Sequence, residues 1–173
     1  MDFARARTHD RAMDDSFAGP GAAAAFERQL LADIPLARAM QLRVVDGGGD
    51  ALRMAAPLAP NINDKGCAFG GSIASLMTLA GWGLIVLRLR ARGHRCDVYV
   101  QDSTLRYLAP VWTDLDVEAR LADGESWDAF FSALDARGRA RARVVARIAG
   151  SDGADAVTFE ARFVAISARP ETG

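Results

Sequence analysis

Groups able to do chemistry are densest between Asn61 and Gly71, in N-I-N-D-K-G-C-A-F-G-G. Two asparagine amides (Asn61, Asn63), one carboxylate (Asp64), one ammonium (Lys65) and one thiol (Cys67) precede Gly70 and Gly71, and no charge follows until Arg88. The uncharged run reads as a helix starting near Gly70, so the loop delivers its side chains to a helix N-terminus. Unpaired N–H groups and the positive end of the helix dipole stabilise negative charge there. Asn63 can add a side-chain amide donor, or it can hold a turn through its own backbone. Asn61 reads as the turn-former of the pair. The N–H groups of Gly70 and Gly71 are candidate co-donors, against a reading in which these glycines only permit tight packing. Asp64 could activate water if it faces inward, and is otherwise a solvated turn aspartate. Lys65 is an anion clamp or a solvated ammonium. Cys67 sits where a helix N-terminus lowers a thiol pKa, although an inert, partly buried thiol explains it as well.

The elements that position this loop follow from periodicity and breakers. Residues 1–21 alternate charged and small residues and read as a disordered tail before a single domain over 22–173. Ala22 to Ala32 reads as a short helix that Ile34-Pro35 stops. Met40 to Val45 and Ala51 to Ala56 read as strands around the turn Asp46-Gly47-Gly48-Gly49-Asp50. Pro57 and Pro60 bracket a loop that cannot extend the ladder. At about 100° per residue, Gly71, Ser75, Thr78 and Trp82 share one stripe of the long helix. Ile73, Leu76, Met77, Ala80, Leu84 and Leu87 lie opposite. Gly93 reads as its C-cap. Asp97 to Leu108, Thr113 to Leu121, Trp127 to Leu134, Arg139 to Ile148 and Val157 to Ile166 read as further strands, with Trp127 to Leu134 hairpinned to Arg139 to Ile148 across Arg137-Gly138. Two strands, one long buried helix and then antiparallel strands make an α+β chain of the hot-dog kind, a central helix wrapped by about five to six strands. A lone sheet leaves edges and an exposed face, so a homodimer or a dimer of dimers is expected.

Composition sets the bounds. The 173 residues suit one domain, half hydrophobic and a quarter charged, with a net charge of -1 that gives no reason to expect nucleic acid. Cys67 and Cys96 are too few for a disulfide framework, and with His9 and His94 in charged surroundings they argue against a metal centre. Lys65 is the single lysine among 21 basic residues. The run from Gly66 to Leu87 has the length to span a membrane, but its glycines and hydroxyls fit a buried core helix better. With no apolar leader in the first residues, a cytoplasmic protein is expected.

Three segments carry a family resemblance: N-I-N-D-K-G-C-A-F-G-G-S from Asn61, T-L-A-G-W-G from Thr78, and L-R-Y-L-A-P-V from Leu105. They resemble the thioesterase-like hot-dog family that includes the bacterial malonyl-acyl-carrier-protein decarboxylases. The resemblance runs through residues 25–168 in element order and is sharpest over 57–83 and 102–111. Some relatives carry an acetyltransferase domain ahead of the hot-dog part, and this chain looks like the stand-alone form. It implies a substrate held as an acyl-carrier-protein or coenzyme A thioester, with no separate cofactor and no metal. It also implicates the loop asparagine matched by Asn63.

One departure matters. Many hydrolytic hot-dog enzymes carry His-Gly-Gly at the helix start and an acid two turns on, where this chain has Phe69-Gly70-Gly71 and Thr78. Neither Phe69 nor Thr78 can serve as a base. Hydrolysis needs activated water, whereas decarboxylation of a malonyl thioester needs mainly a stabilised enolate oxygen, which neutral donors supply. The leading expectation is therefore malonyl decarboxylation, with Asn63 donating to the thioester oxygen. A thioesterase using Asp64 is the alternative, and a non-catalytic thioester-binding module is the third reading. Phe69 is a candidate substrate contact, and Ser75 and Thr78 could line the acyl pocket, although simple helix packing explains those two better. Arg106 could reach a pantetheine or phosphate, or pair with Asp102. The arginine rows at 88–95 and 137–147 could meet an acidic carrier or be solvated faces. Trp127, Phe130 and Phe131 read as core.

Overall fold

The computed structural model describes residues 21–47 and 49–168. Apart from Gly21, the expected N-terminal tail lies outside the described residues, as do His9 and Gly48 of the expected turn.

Helix α1 (Ala22–Asp33) ends at Ile34, whose extended backbone precedes Pro35. Proline then occupies the first position of a second short helix, α2 (Pro35–Ala39), where its missing N–H costs nothing. The first strand accordingly starts later than Met40: β1 is Arg43–Asp46, followed by β2 (Ala51–Ala56). A 3₁₀ turn over Ala59–Asn61 leads into the loop, and the long helix α3 spans Gly70–Ala91. Strands β3 (Cys96–Tyr107) and β4 (Leu115–Leu121), helix α4 (Trp127–Arg137), and strands β5 (Arg139–Ala149) and β6 (Asp155–Ser167) complete the chain.

Six antiparallel strands form one sheet in the order β1-β2-β4-β5-β6-β3. Helix α3 lies against its inner face, which is the hot-dog arrangement. Ile73, Leu76, Met77, Ala80, Leu84 and Leu87 are all buried there. By composition α3 would cross a membrane, with a mean hydropathy of 1.6, but its apolar side is spent on the sheet. Contact is close because two helix positions lack side chains. A Cβ at Gly81 would meet the Phe163 ring at 2.8 Å, and one at Gly83 would meet Leu52 and Phe26 at 2.8 Å. The C-terminus closes as a Schellman turn. Gly93 at φ +74° donates to Arg90 O and His94 N–H donates to Leu89 O, each at 2.9 Å.

Trp127 to Leu134 is a helix, not the expected strand. Ser126 accepts from the N–H groups of Asp128 and Ala129, and Gly138 ends the helix at φ +62°. Phe130, Phe131 and Leu134 are buried at helical spacing, so the hydrophobic pattern read as alternation is a 3.6-residue period. Arg137-Gly138 is therefore a helix end, and β5 pairs with β4 and β6 instead of with 127–134. The aromatic cluster does form, with the Phe130 and Phe131 rings edge to face at 5.3 Å. His94 is half-buried and stacks on Phe131 at 5.4 Å.

The arginine rows are largely engaged. Arg88 sits over the Trp127 ring and bonds Asp50, and Arg92 sits over Phe131. Burial, then the charge of Arg92, pulls the Arg88 guanidinium below its ordinary pKa. On the outer face of β5, Arg141 donates to Gln101, Arg143 pairs with Glu125 and Glu160, and Arg147 pairs with Asp155.

Candidate functional site

The loop before α3 is stitched to itself and to its neighbours. Asn63 N–H donates to Cys67 O at 2.8 Å, and Gly66, at φ +84°, donates back to Asn63 O at 3.1 Å. Ala68 N–H donates to Val111 O at 2.8 Å and Phe69 N–H to Asn61 O at 2.7 Å, tying the helix entrance to both flanks.

The two asparagines divide their work differently from the sequence reading. Asn61 is not the turn-former. It is 1% exposed, and its amide nitrogen donates to Met40 O at 3.0 Å and Pro57 O at 2.8 Å, clamping the end of α2 to the strand exit. Its Oδ1 is buried without a partner among the described residues. The turn belongs to Asn63, whose Oδ1 accepts from Lys65 N–H two residues on, at 2.8 Å. The Asn63 amide nitrogen donates to Cys67 Sγ at 3.2 Å, which leaves its second N–H unassigned. Cys67 is buried, more fully than the partial burial expected of it.

Asp64 points outward. Its side chain is 79% exposed, and both oxygens accept from Lys65 Nζ at 2.9 Å. The loop's only carboxylate and only ammonium thus neutralise each other in solvent.

At the start of α3, Phe69 takes the N-cap position and no side chain caps the helix. The N–H groups of Gly70, Gly71 and Ser72 meet no acceptor among the described residues. The Phe69 ring, 54% exposed, folds back so closely that a Cβ at Gly71 would lie 2.3 Å from it. Tyr107 closes the other side: its hydroxyl donates to Gly70 O at 2.8 Å and its ring lies 3.4 Å from where a Gly70 Cβ would be. Sequence reasoning missed this contact, because nothing local links two residues 37 positions apart. Further along the stripe, Ser75 and Thr78 are half-buried, and Ser75 Oγ donates to Gly71 O at 2.8 Å. Trp82 closes the stripe by donating to Val98 O at 3.2 Å.

Arg106 is not with this group. Strand alternation sends Tyr107 toward α3 and Arg106 to the outer face, where it lines an open polar groove with Thr104, Glu118 and Glu160. The alternative pairing of Arg106 with Asp102 is also corrected. Asp102 pairs with Arg162, its direct cross-strand neighbour, at 3.4 Å. Positions i and i+4 of a strand lie about 13 Å apart, too far for an ion pair.

The entrance of α3 therefore gathers neutral donors between two aromatic rings, an arrangement suited to a developing oxyanion. Residues 23–167 match the family model described as "Putative thioesterase (yiiD_Cterm)". The chain belongs to this family. Among solved structures, a protein of unknown function from Chlorobaculum tepidum superposes with a TM-score of 0.83 at 26% identity, covering 90% of this chain and 100% of that one. A protein from Shewanella oneidensis described as a "putative thioesterase" follows at 0.74 and 29%, covering 83% and 96%. One from Pseudomonas aeruginosa matches at 0.69 and 23%, covering 84% and 96%, a likeness of fold alone. The chain is thus a thioesterase-like hot-dog protein, of a family named for action on acyl thioesters.

Proposed function

We propose that this chain is an enzyme that binds an acyl thioester with its carbonyl oxygen at the entrance of α3, and that its reaction is decarboxylation of a malonyl thioester to the acetyl form. The observation that carries the finer reading is the placement of Asp64, turned to solvent and held by Lys65, beside an entrance furnished with neutral donors. In the proposed reaction the bond between the malonyl carboxylate carbon and the α-carbon breaks. Carbon dioxide leaves, the electron pair forms an enolate on the thioester, and a proton from water restores the acetyl group. The free amide N–H of Asn63 and the N–H groups of Gly70 and Gly71 would stabilise the enolate oxygen. Each such donor is typically worth about 10²–10³ in rate.

A second reading is hydrolysis of the thioester. The family description and the Shewanella relative favour it, since both name a thioesterase and neither names a decarboxylase. Both reactions use the same polarised carbonyl and differ in what happens next. Both also fit a substrate carried on acyl carrier protein or coenzyme A, and a homodimer built through the free edge of β3.

Mass analysis of malonyl-acyl carrier protein after incubation separates them. Acetyl carrier supports decarboxylation, free holo carrier supports hydrolysis, and unchanged substrate sinks both for this carrier. The Asn63→Asp variant keeps the acceptor for Lys65 N–H and removes the amide donor, and Asn63→Ala removes both. Each should abolish the acetyl product without changing the oligomer, and full activity in either would remove Asn63 from the mechanism.

A further inference from the structure

We infer that Tyr107 is a positioning residue that fixes and polarises the Gly70–Gly71 peptide, so that the Gly71 N–H is aimed and strengthened as an oxyanion donor. This rests on the proposed binding of the thioester oxygen at the entrance of α3.

The Gly70 carbonyl and the Gly71 N–H belong to one rigid planar unit. A donor on the carbonyl draws electron density from the nitrogen and makes the N–H a better donor in turn. Tyr107 Oη supplies that donor at 2.8 Å. A carbonyl oxygen has two lone pairs, so this bond is compatible with the carbonyl's role in the helix. The flanking peptides are supported differently: Phe69 O accepts from Ile73 N–H at 3.0 Å, and Gly71 O accepts from Ser75 Oγ of the same helix at 2.8 Å. Of the three, only the Gly70–Gly71 peptide is tethered from outside the helix.

The surroundings hold the peptide plane as well as its charge. The Tyr107 ring packs at 3.4 Å from the Gly70 Cβ direction, and the Phe69 ring fills the Gly71 Cβ direction. A side chain at Gly71 would displace the Phe69 ring, whereas a Cβ at Gly70 would touch the Tyr107 ring at ordinary contact distance. The peptide is thus clamped between two aromatic rings and tethered by a hydroxyl. Tyr107 is the last residue of β3, which among the described residues is an edge strand paired with β6 alone. The tether therefore fastens the helix entrance to the sheet edge.

Tyr107→Phe keeps the ring and removes the hydroxyl. With malonyl-CoA as the probe, kcat should fall about tenfold, a fraction of the loss expected for deleting a whole donor, while KM stays within about twofold. In ¹⁵N-labelled protein, the Gly71 amide proton should move upfield. Unchanged kcat, a raised KM at full kcat, or an unmoved Gly71 signal would each overturn the inference. Thr104→Ala, on the opposite face of the same strand, should leave both readouts at wild-type values. Because the chain has two tyrosines, global 3-fluorotyrosine labelling gives a variant with the fold intact. Its more acidic phenol should move the Gly71 proton downfield, and movement upfield would count against the inference. If wild-type protein turns over no thioester, the proposed function fails on its own, while the two Gly71 shifts still decide whether Tyr107 polarises this peptide.

Discussion

Asp64 and Asn63 are adjacent, yet one faces water and the other is fixed into the loop. An exposed carboxylate held by an exposed lysine gains little from the pair and keeps its ordinary hydration, so it is poorly placed to take a proton from a buried water. Asp64→Asn should therefore leave kcat/KM for malonyl thioester within about twofold, whereas a general base would contribute about 10²–10⁴. A loss of a hundredfold or more would make Asp64 the base and move the function to hydrolysis. Asn63 shows why a side-chain role is hard to read locally. Its oxygen forms the turn that the sequence allotted to Asn61, and its nitrogen meets Cys67. The turn reading is met by the amide oxygen, and the donor reading rests on the one N–H that the nitrogen does not spend on Cys67.

Elements were legible where the hydrophobic period was long. The period of α3 extends over about six turns and its Gly93 stop is local, so its buried face and cap follow from the residues alone. The segment from Trp127 is short, and aromatics at 127, 130 and 131 fit a strand or a helix about equally well. The arbiter is Ser126, whose hydroxyl accepts from two N–H groups of the first turn. Removing that cap with Ser126→Ala should cost about 1 kcal/mol in chemical denaturation, with no effect on thioester turnover. An unchanged midpoint would mean that packing of Phe130, Phe131 and Leu134 alone specifies the helix.

At the scale of the whole molecule, the edge of the sheet governs assembly. Strand β3 runs for twelve residues with one side unpaired among the described residues, and it exposes Tyr99, Val100 and Tyr107. Such an edge invites pairing with a second copy. Sedimentation velocity at micromolar concentration should give about twice the chain mass. Val100→Asp should shift the protein toward monomer most strongly at low salt, because a two-fold seam sets like charges near each other. A wild-type monomer under the same conditions would remove the dimer.

By itself the sequence determined the central helix, its buried face and stops, five of the six strands to within a few residues, most of the sixth, and the loop where polar groups collect. These follow from periodicity, proline and glycine, which act over a few residues. Tertiary structure alone decided that Asp64 faces water, that Asn61 is a buried clamp, that Arg106 lies behind the sheet and that Tyr107 reaches Gly70. Each depends on which residues distant in the chain become neighbours. A side chain's direction is set by the strand or loop it meets, and no local pattern encodes that meeting.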